Sequence, residues 1–380
     1  MRFSHGFSLG RIWAILVKEV LQIRRDRLTL AMIIGVPLMQ LTLFGFAINF
    51  NPKALPTAVS IADPSVFSRS LIAALRNSSY FDLIAETRSP TQARKLLQDG
   101  KVLFAVEVPE NFSRDLVRGA RPDLLMEVDA TDPASSGFAI QAFNALATTA
   151  LRDDLVGPLG SRAQGLPPFN PVVHLLYNPE SNTQYSIVPG LLAIILTMTL
   201  VLMTCMALTR ERERGTYENL LAMPATPLEI MIGKIAPYVV VGLVQSTIVL
   251  VLAKYVFGVP VIGSLTLLAG ALTLFIVANL AVGYTFSTIA QSQLQAMQMT
   301  VFFLLPAILL SGFAFPFAGM PGWAQDIGEI LPATHFLRIA RGILLKGNDF
   351  GNILGELWPL GLFTLVAGTI ALLRFRRTLD

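Results

Sequence analysis

Residues 187–234 read IVPGLLAIILTMTLVLMTCMALTRERERGTYENLLAMPATPLEIMIGK. The first part, Ile187–Leu208, contains no charged residue. It is long enough to cross a bilayer, which takes about 20 mostly apolar residues whose backbone groups are all bonded within the segment. Arg210, Glu211, Arg212, Glu213 and Arg214 then carry the helix abruptly into water. Gly215 breaks it, and Tyr217–Met223 is spaced for a short helical piece that Pro224 stops. Thr226-Pro227-Leu228-Glu229 is a capping box with Pro at the first helical position, so a new helix starts there. The expected result is a short helix at a sharp elbow between two spans. Leu220 and Leu221 form its apolar side, with Tyr217 and Glu218 close by. Two readings stay open: a plain connector, or a stiff piece that transmits a push.

The rest of the chain repeats the apolar theme. Of its 380 residues, 53% are hydrophobic and 14% charged, and the mean hydropathy is +0.60. Soluble domains carry about 25% charged residues, so an ordinary soluble enzyme is excluded. The 29 Lys and Arg nearly balance 25 Asp and Glu, which gives no footprint for nucleic acid. Cys205 is the single cysteine, and His5, His174 and His335 lie far apart; neither a multi-cysteine metal site nor a disulfide framework is available. Besides residues 187–208, apolar stretches occur at Leu28–Ile48, about Met231–Ala253, Ser264–Ala290, Met299–Phe315 and Leu357–Leu373. The uncharged run from Tyr255 to Gln325 is too long for one helix. The Gln-rich patch Gln291–Gln298 is taken as its turn. The reading is a polytopic α-helical membrane protein of six transmembrane helices, with an α/β domain inserted between the first and second spans.

Lys and Arg near span ends set orientation. Arg2, Arg11, Lys18, Arg24, Arg25 and Arg27 precede the first span. Arg210, Arg212, Arg214 and Lys234 follow the second, and Arg374, Arg376 and Arg377 close the chain. With an even span count these groups share one side, and both termini are expected in the cytoplasm. The apolar run starts only at Leu28 and has no small-residue cleavage site after it, so a cleaved signal peptide is not expected. Residues 1–27 form a basic amphipathic helix: Arg11, Lys18, Gln22 and Arg25 share one face, and Ile12, Trp13, Leu16, Val20 and Ile23 fill another. Such a helix lies in the membrane interface, as an anchor or as a lever on a partner.

Residues 49–186 have ordinary soluble composition and domain size. Strand-like and helical patterns alternate: Thr57–Ala62, Val66–Arg76, Tyr80–Ala85, Thr91–Gln98, Val102–Val108, Leu124–Asp129 and Ala134–Asp154. That alternation predicts a small α/β domain outside the membrane. Ser89-Pro90 marks a helix start, and Gly157–Pro171 reads as a link. No His–carboxylate cluster or nucleophile elbow points to catalysis; the acids, including Asp153 and Asp154, suit solvated surface or a docking face.

The stretch Arg-Glu-Arg-Glu-Arg-Gly-Thr at Arg210–Thr216, continued through Leu220-Leu221, Pro224, Pro227 and Ile230, resembles the coupling loop of type-2 ABC exporter permeases. Similar to that family as well are Tyr177-Asn178-Pro179 with Val188-Pro189-Gly190, Ser311–Pro316 with Met320-Pro321, and Leu331-Pro332 through Phe336 to Arg341–Gly347. Order and spacing agree along essentially the whole chain. The large domain after the first span resembles the bacterial drug-efflux branch. The resemblance implies a permease that works with a separate ABC ATPase subunit and a second permease subunit, as homodimer or heterodimer. A membrane-fusion-protein adaptor outside the membrane is a further possible partner. It also implies that Arg210–Pro227 docks on the ATPase, that loop 209–234 is the coupling loop, and that 316–353 is an outer loop. A phosphate-cradling G-x-x-x-x-G-K-[ST] motif does not occur in the sequence, so nucleotide chemistry belongs to the partner; no cofactor or metal is called for.

Three other readings fit the sequence less well. An ion-coupled transporter keeps charged relays inside its spans, and by the boundaries above the span interiors have none, Lys234 standing near the start of its stretch. A membrane-anchored sensor or scaffold would need neither this many spans nor a rigid elbow. An intramembrane enzyme would need catalytic polar groups at depth, but Gln245, Ser246, Thr247 and Asn279 suit bonds between neighbouring helices. His335, after Pro332, is expected at a surface or interface.

Overall fold

The computed structural model describes residues 53–157, 159, 167–213 and 227–374. The interfacial-helix residues Arg11, Trp13, Lys18 and Arg25, the first apolar stretch at 28–48 and the basic tail at 375–380 lie outside the described residues.

The α/β part comes first. Its strands are β1 (Leu55–Ile61), β2 (Phe81–Thr87), β3 (Phe104–Val108), β4 (Asp123–Asp129) and β5 (Asn170–Leu176), and its helices α1 (Val66–Asn77), α2 (Pro90–Gln98), α3 (Phe112–Arg118) and α4 (Pro133–Thr149). The sheet order is β2-β1-β3-β4-β5, parallel throughout except for the antiparallel β3–β4 pair. Alternate side chains of a strand face opposite sides, and here the two faces differ in bulk. Leu55, Val59, Phe104, Val106 and Val108 point into a core with Leu71, Leu75, Phe112, Leu116 and Phe143. Ala58 and Ala105 face the other way, against Ala93 and Leu97 of α2. Small residues on that face let α2 sit close to the sheet.

Local signals explain most starts. Ser65 and Ser68 close a reciprocal capping box on α1. Helix α2 begins at Pro90, as expected, although Ser89 makes no side-chain cap bond and donates its own N–H to Thr87 Oγ1 instead. Two elements escape the pattern reading. Helix α3 is a short piece held between left-handed residues Asn111 (φ 62°) and Gly119 (φ 78°). Strand β5 begins within the stretch read as a link; its register against β4 comes from long-range pairing, not from local alternation.

Among the described residues five further helices are long and apolar enough to span a membrane: α5 (Thr183–Glu213), α6 (Pro227–Tyr255), α7 (Leu265–Ile289), α8 (Gln293–Leu310) and, after two shorter ones, α11 (Phe350–Arg374). Helix α7 is apolar on every side and sits in the centre of the bundle, packed on α5 and α11 through Leu192, Leu196, Leu200, Phe275, Ile276 and Leu360. Gly283 makes the α5–α7 crossing possible, since a Cβ there would stand 2.7 Å from the Val201 carbonyl oxygen.

Two span boundaries are corrected. Helix α8 covers Gln293–Leu310, not 299–315: Ser292 caps it by accepting the Gln295 N–H, so Gln293, Gln295 and Gln298 are helical and the turn is shorter than the Gln-rich patch. Helix α11 begins at Phe350, not Leu357, because Glu356 is neutralised by partners and does not end the helix. The loop expected at 316–353 is folded as well. It holds α9 (Gly322–Ile330), α10 (Pro332–Arg341) and a π-helical turn at Gly342–Lys346, and α10 buries Ala333, Phe336, Leu337, Ile339 and Ala340. Phe336 stacks on Phe275 at 4.3 Å between ring centres.

Candidate functional site

The bundle has two ends that matter: the elbow end, where α5 finishes, and the domain end, where α5 begins below β5. At the elbow end Arg210 is exposed in the last turns of α5. Glu213 Oε1 accepts the backbone N–H of Gln293 at 2.8 Å, and its Oε2 accepts the Gln293 side-chain amide. The carboxylate thereby closes the positive N-terminus of α8. These hydrogen bonds hold Glu213 below the usual carboxylate range. The last residues of α5 are thus tied to the first residue of another membrane helix. Glu211 lies on the same turns, Arg212 belongs to the helix backbone, and α6 starts at Pro227 as the capping box requires. Arg214, Gly215, Thr216, Tyr217, Glu218, Leu220, Leu221 and Pro224 lie outside the described residues.

The domain end gathers the motif stretches that are separated in sequence. Tyr177 closes β5, and Asn178 fixes the following turn by exchanging bonds with the Asn182 backbone at 2.8 and 3.0 Å. Gly190 lies against Phe313 and Leu337. Arg341 donates to the Ser186 hydroxyl at 3.0 Å and carbonyl at 3.3 Å, and to the Gly312 carbonyl at 3.4 Å. Gly263, at the entry to α7, donates to the Ile343 carbonyl at 3.0 Å, and a Cβ there would stand 2.5 Å from that oxygen.

Two charge assemblies were not read from the sequence. Lys346 and Asp129, 7% and 4% exposed, pair directly and join the α/β domain to the π-turn. Lys346 also meets the Leu97 carbonyl at 3.3 Å and the Tyr177 ring at 5.3 Å. Burial, with Asp129 close by, pushes the Tyr177 phenol up to about 12. The second assembly joins α9, α10 and α11. Arg338 bonds Glu329 at 2.6 Å and Glu356 at 3.1 Å. His335, only 4% exposed, sets Nδ1 2.5 Å from Glu356 Oε2 and Nε2 2.8 Å from the Glu329 carbonyl. Both ring nitrogens face acceptors, so both donate and the ring is an imidazolium. Burial opposes that charge, and the bonds to Glu356 and Glu329 outweigh it, so the His335 pKa is raised.

This corrects two expectations: His335 is a buried structural cation, and an acid, Glu356, does stand within a membrane helix. Spacing held a faint signal, since His335 and Arg338 lie three apart on one helical face. Their partners at 329 and 356 come from separate elements. Gln245 bonds a neighbouring helix as anticipated, accepting from Thr199 at 2.9 Å, whereas Asn279, Ser246 and Thr247 donate within their own helices, to the Phe275, Gly242 and Leu243 carbonyls at 2.9, 2.6 and 2.8 Å.

The family model for "ABC-2 family transporter protein" matches residues 27–373. The chain is 33% identical over 394 aligned positions to the inner membrane transport permease YhhJ of Escherichia coli, covering 98% of each protein. It is 30% identical to the E. coli protein named "Probable multidrug ABC transporter permease YbhR", covering 97% of this chain and 98% of that one. ABC transporter G family member 20 of Dictyostelium discoideum is 24% identical over 95% of this chain and 48% of its own length. Permeases of this type are transport subunits and not themselves enzymes. Apolar spanning helices, an α/β region ahead of them and a family match across nearly the whole length agree: this chain belongs to the ABC-2 family of transporter proteins.

Proposed function

We propose that the chain is the membrane-spanning subunit of an ATP-driven exporter that moves hydrophobic or amphiphilic, drug-like molecules out of the cytoplasm or the inner leaflet. A separate ABC ATPase supplies the energy, and two permease subunits, identical or related, form the pathway. In this reading the chain crosses the inner membrane six times, with residues 28–48 as the first span and both termini in the cytoplasm. Residues 1–27 lie on the inner surface, and 374–380 form a basic tail there. The α/β domain within 49–186 stands in the periplasm, open to an adaptor of the membrane-fusion type. Residues 209–234 form the coupling loop, Arg210–Pro224 dock on the ATPase, and Pro227 restarts the helix behind them. The drug-like cargo follows the printed name of YbhR.

The observation that carries the reading is the Glu213–Gln293 clamp. A displacement of the elbow reaches α5 and α8 together, which is what a coupling device requires. The test is to purify the chain with its companion ATPase, reconstitute both in proteoliposomes, and follow ATP hydrolysis and dye export together. Gly215→Asp or Leu220→Asp should abolish export while insertion is kept. Full transport by these variants, or ATP hydrolysis by the permease alone, would overturn the proposal.

A further inference from the structure

Helices α9 (Gly322–Ile330) and α10 (Pro332–Arg341) meet at a hinge of one residue. Leu331 is extended, with φ −79° and ψ 130°, and ends the first helix as it starts the second. A residue before proline is steered away from helical backbone, so the chain turns there. The last turn of α9 is consequently fastened by side chains of α10. Thr334 Oγ1 donates to the Gly328 carbonyl at 2.6 Å, Arg338 to the Glu329 carboxylate at 2.6 Å, and His335 Nε2 to the Glu329 carbonyl at 2.8 Å. Of these three donors only the imidazole changes its charge near neutral pH. Its Nδ1 also reaches Glu356 of α11 at 2.5 Å, so one ring joins three helices.

Charged groups surround the ring from several elements. Helix α9 adds the Glu329 carboxylate, 3.8 Å from Nε2, and α11 adds Glu356. Arg338, one turn along α10, is shared between both acids. Of the other helices packed on α10, α7 and α8 carry no Asp, Glu, Lys, Arg or His, and the charges of α5 lie at its elbow end. Tyr185 and Cys205 of α5 and Tyr284 of α7 are their remaining titratable groups. Lys346 in the π-turn is paired with Asp129, and Arg341 is bonded to Ser186. Asp82, Asp99, Asp129 and Asp132 of the domain line a cleft together with Arg338 and Glu356. With both ring nitrogens taken, these acids act on His335 only through space. Burial alone would expel the imidazolium proton, and the bonds to Glu356 and Glu329 outweigh it, so the proton is lost only above the ordinary 6.5.

A neutral imidazole has one N–H and one bare lone pair. Loss of the proton therefore sets a lone pair against an oxygen, at Glu356 or at the Glu329 carbonyl. The ring is only 4% exposed, so the helices must part before water can replace the lost donor. A carboxylate is the stronger acceptor. The remaining proton accordingly stays on Nδ1, and the repulsion falls on the Glu329 carbonyl at the end of α9. We propose that His335 is a pH-operated latch: protonated, it holds the last turn of α9 against α10 and α11, and neutral, it leaves that turn on Thr334 and Arg338 alone, free to open about Leu331. The latch is shut at acid pH and opens as pH climbs through the folded-state value. That it reads the pH outside the cell rests on the transport reading above; the opening itself does not.

The experiment uses the full chain in nanodiscs of zwitterionic lipid, without nucleotide or ATPase. Hydrogen–deuterium exchange is read by mass spectrometry from about pH 6 to about pH 9 and expressed as protection relative to the intrinsic rate at each pH. Protection of the amides at 328–331 should fall about tenfold across that range, while β4 (Asp123–Asp129) keeps its own. His335→Gln has no proton to lose here, so its protection at 328–331 should be the same at both ends. Glu356→Gln removes the charge that retains the proton, and the fall should then come about one pH unit lower or more. Flat protection in the wild type, an equal fall in His335→Gln, or an unmoved midpoint in Glu356→Gln would overturn the latch. A fall confined to Phe350–Glu356 would also overturn it, because α11 and not α9 would then be the part let go. Any of these results would leave the exporter reading to its own transport assay.

Discussion

Replacing Asp129 by Ala strands Lys346. The ammonium is 7% exposed, and without Asp129 it keeps only the Leu97 carbonyl at 3.3 Å and the face of the Tyr177 ring. Removing one partner of a buried ion pair costs about 3–5 kcal/mol. The opposite change, Lys346→Met, is milder. Asp129 Oδ1 remains bonded to the Thr131 N–H at 3.1 Å and hydroxyl at 2.8 Å, and Met fills much of the lysine stem volume. That variant should cost about 1–3 kcal/mol. The double variant should recover most of the loss, because an apolar replacement of a buried pair is often neutral. Hydrogen–deuterium exchange read by mass spectrometry on the full chain in nanodiscs follows the relevant amides, in β4 (Asp123–Asp129) and the π-turn (Gly342–Lys346). With each 1.4 kcal/mol worth a factor of ten, protection in Asp129→Ala should fall by about two to three and a half orders of magnitude. Unchanged protection in Asp129→Ala, or a larger loss in Lys346→Met, would refute the account of how the domain is fastened to the bundle.

Further consequences concern the other contacts. The raised pKa of His335 means that its stabilising contribution is complete below its ordinary value of 6.5 and is lost as pH climbs through the higher folded-state value. The melting temperature of the wild type should therefore fall from pH 6.5 upward, and His335→Gln should flatten that slope; parallel curves would exclude the assignment. Gly283→Val pushes a side chain into the Val201 backbone, which cannot move aside cheaply. It should cost about 1–3 kcal/mol or more, visible as lost monodispersity in fluorescence-detected size exclusion, whereas a normal profile would deny the close α5–α7 approach. Glu213→Ala should speed amide exchange at Gln293–Ala296 while leaving β4 and the π-turn untouched, and unchanged exchange there would remove the clamp from the mechanism.

Much of the architecture was legible because it depends on composition over long windows. Apolar stretches of spanning length identified α5, α6 and α7 closely, since lipid leaves a backbone no other way to bond itself. Errors gathered where a polar residue was read as a boundary. The last apolar stretch starts at Leu357 by composition, one residue after Glu356, but Arg338 and His335 neutralise that acid and the helix begins two turns earlier. Gln293 and Gln295 looked like a turn, yet Ser292 and Glu213 cap a helix that includes them. Strand β5 starts at Asn170 and Pro171, the last two residues of the stretch read as a link, and its register is set by pairing with β4.

The sequence by itself determined the class of molecule, the five described apolar helices, the alternating α/β region and the family to which the motifs belong. Each follows from a property carried by neighbouring residues: hydropathy, period, or a Gly or Pro at a fixed offset. Only the tertiary structure decided that Asp129 meets Lys346, that Glu213 holds Gln293, and that His335 is charged. Whether a buried charge is a fault or a fastening depends on the partner folded against it. These partners lie 217, 80 and 21 positions away along the chain, farther than any local pattern reaches.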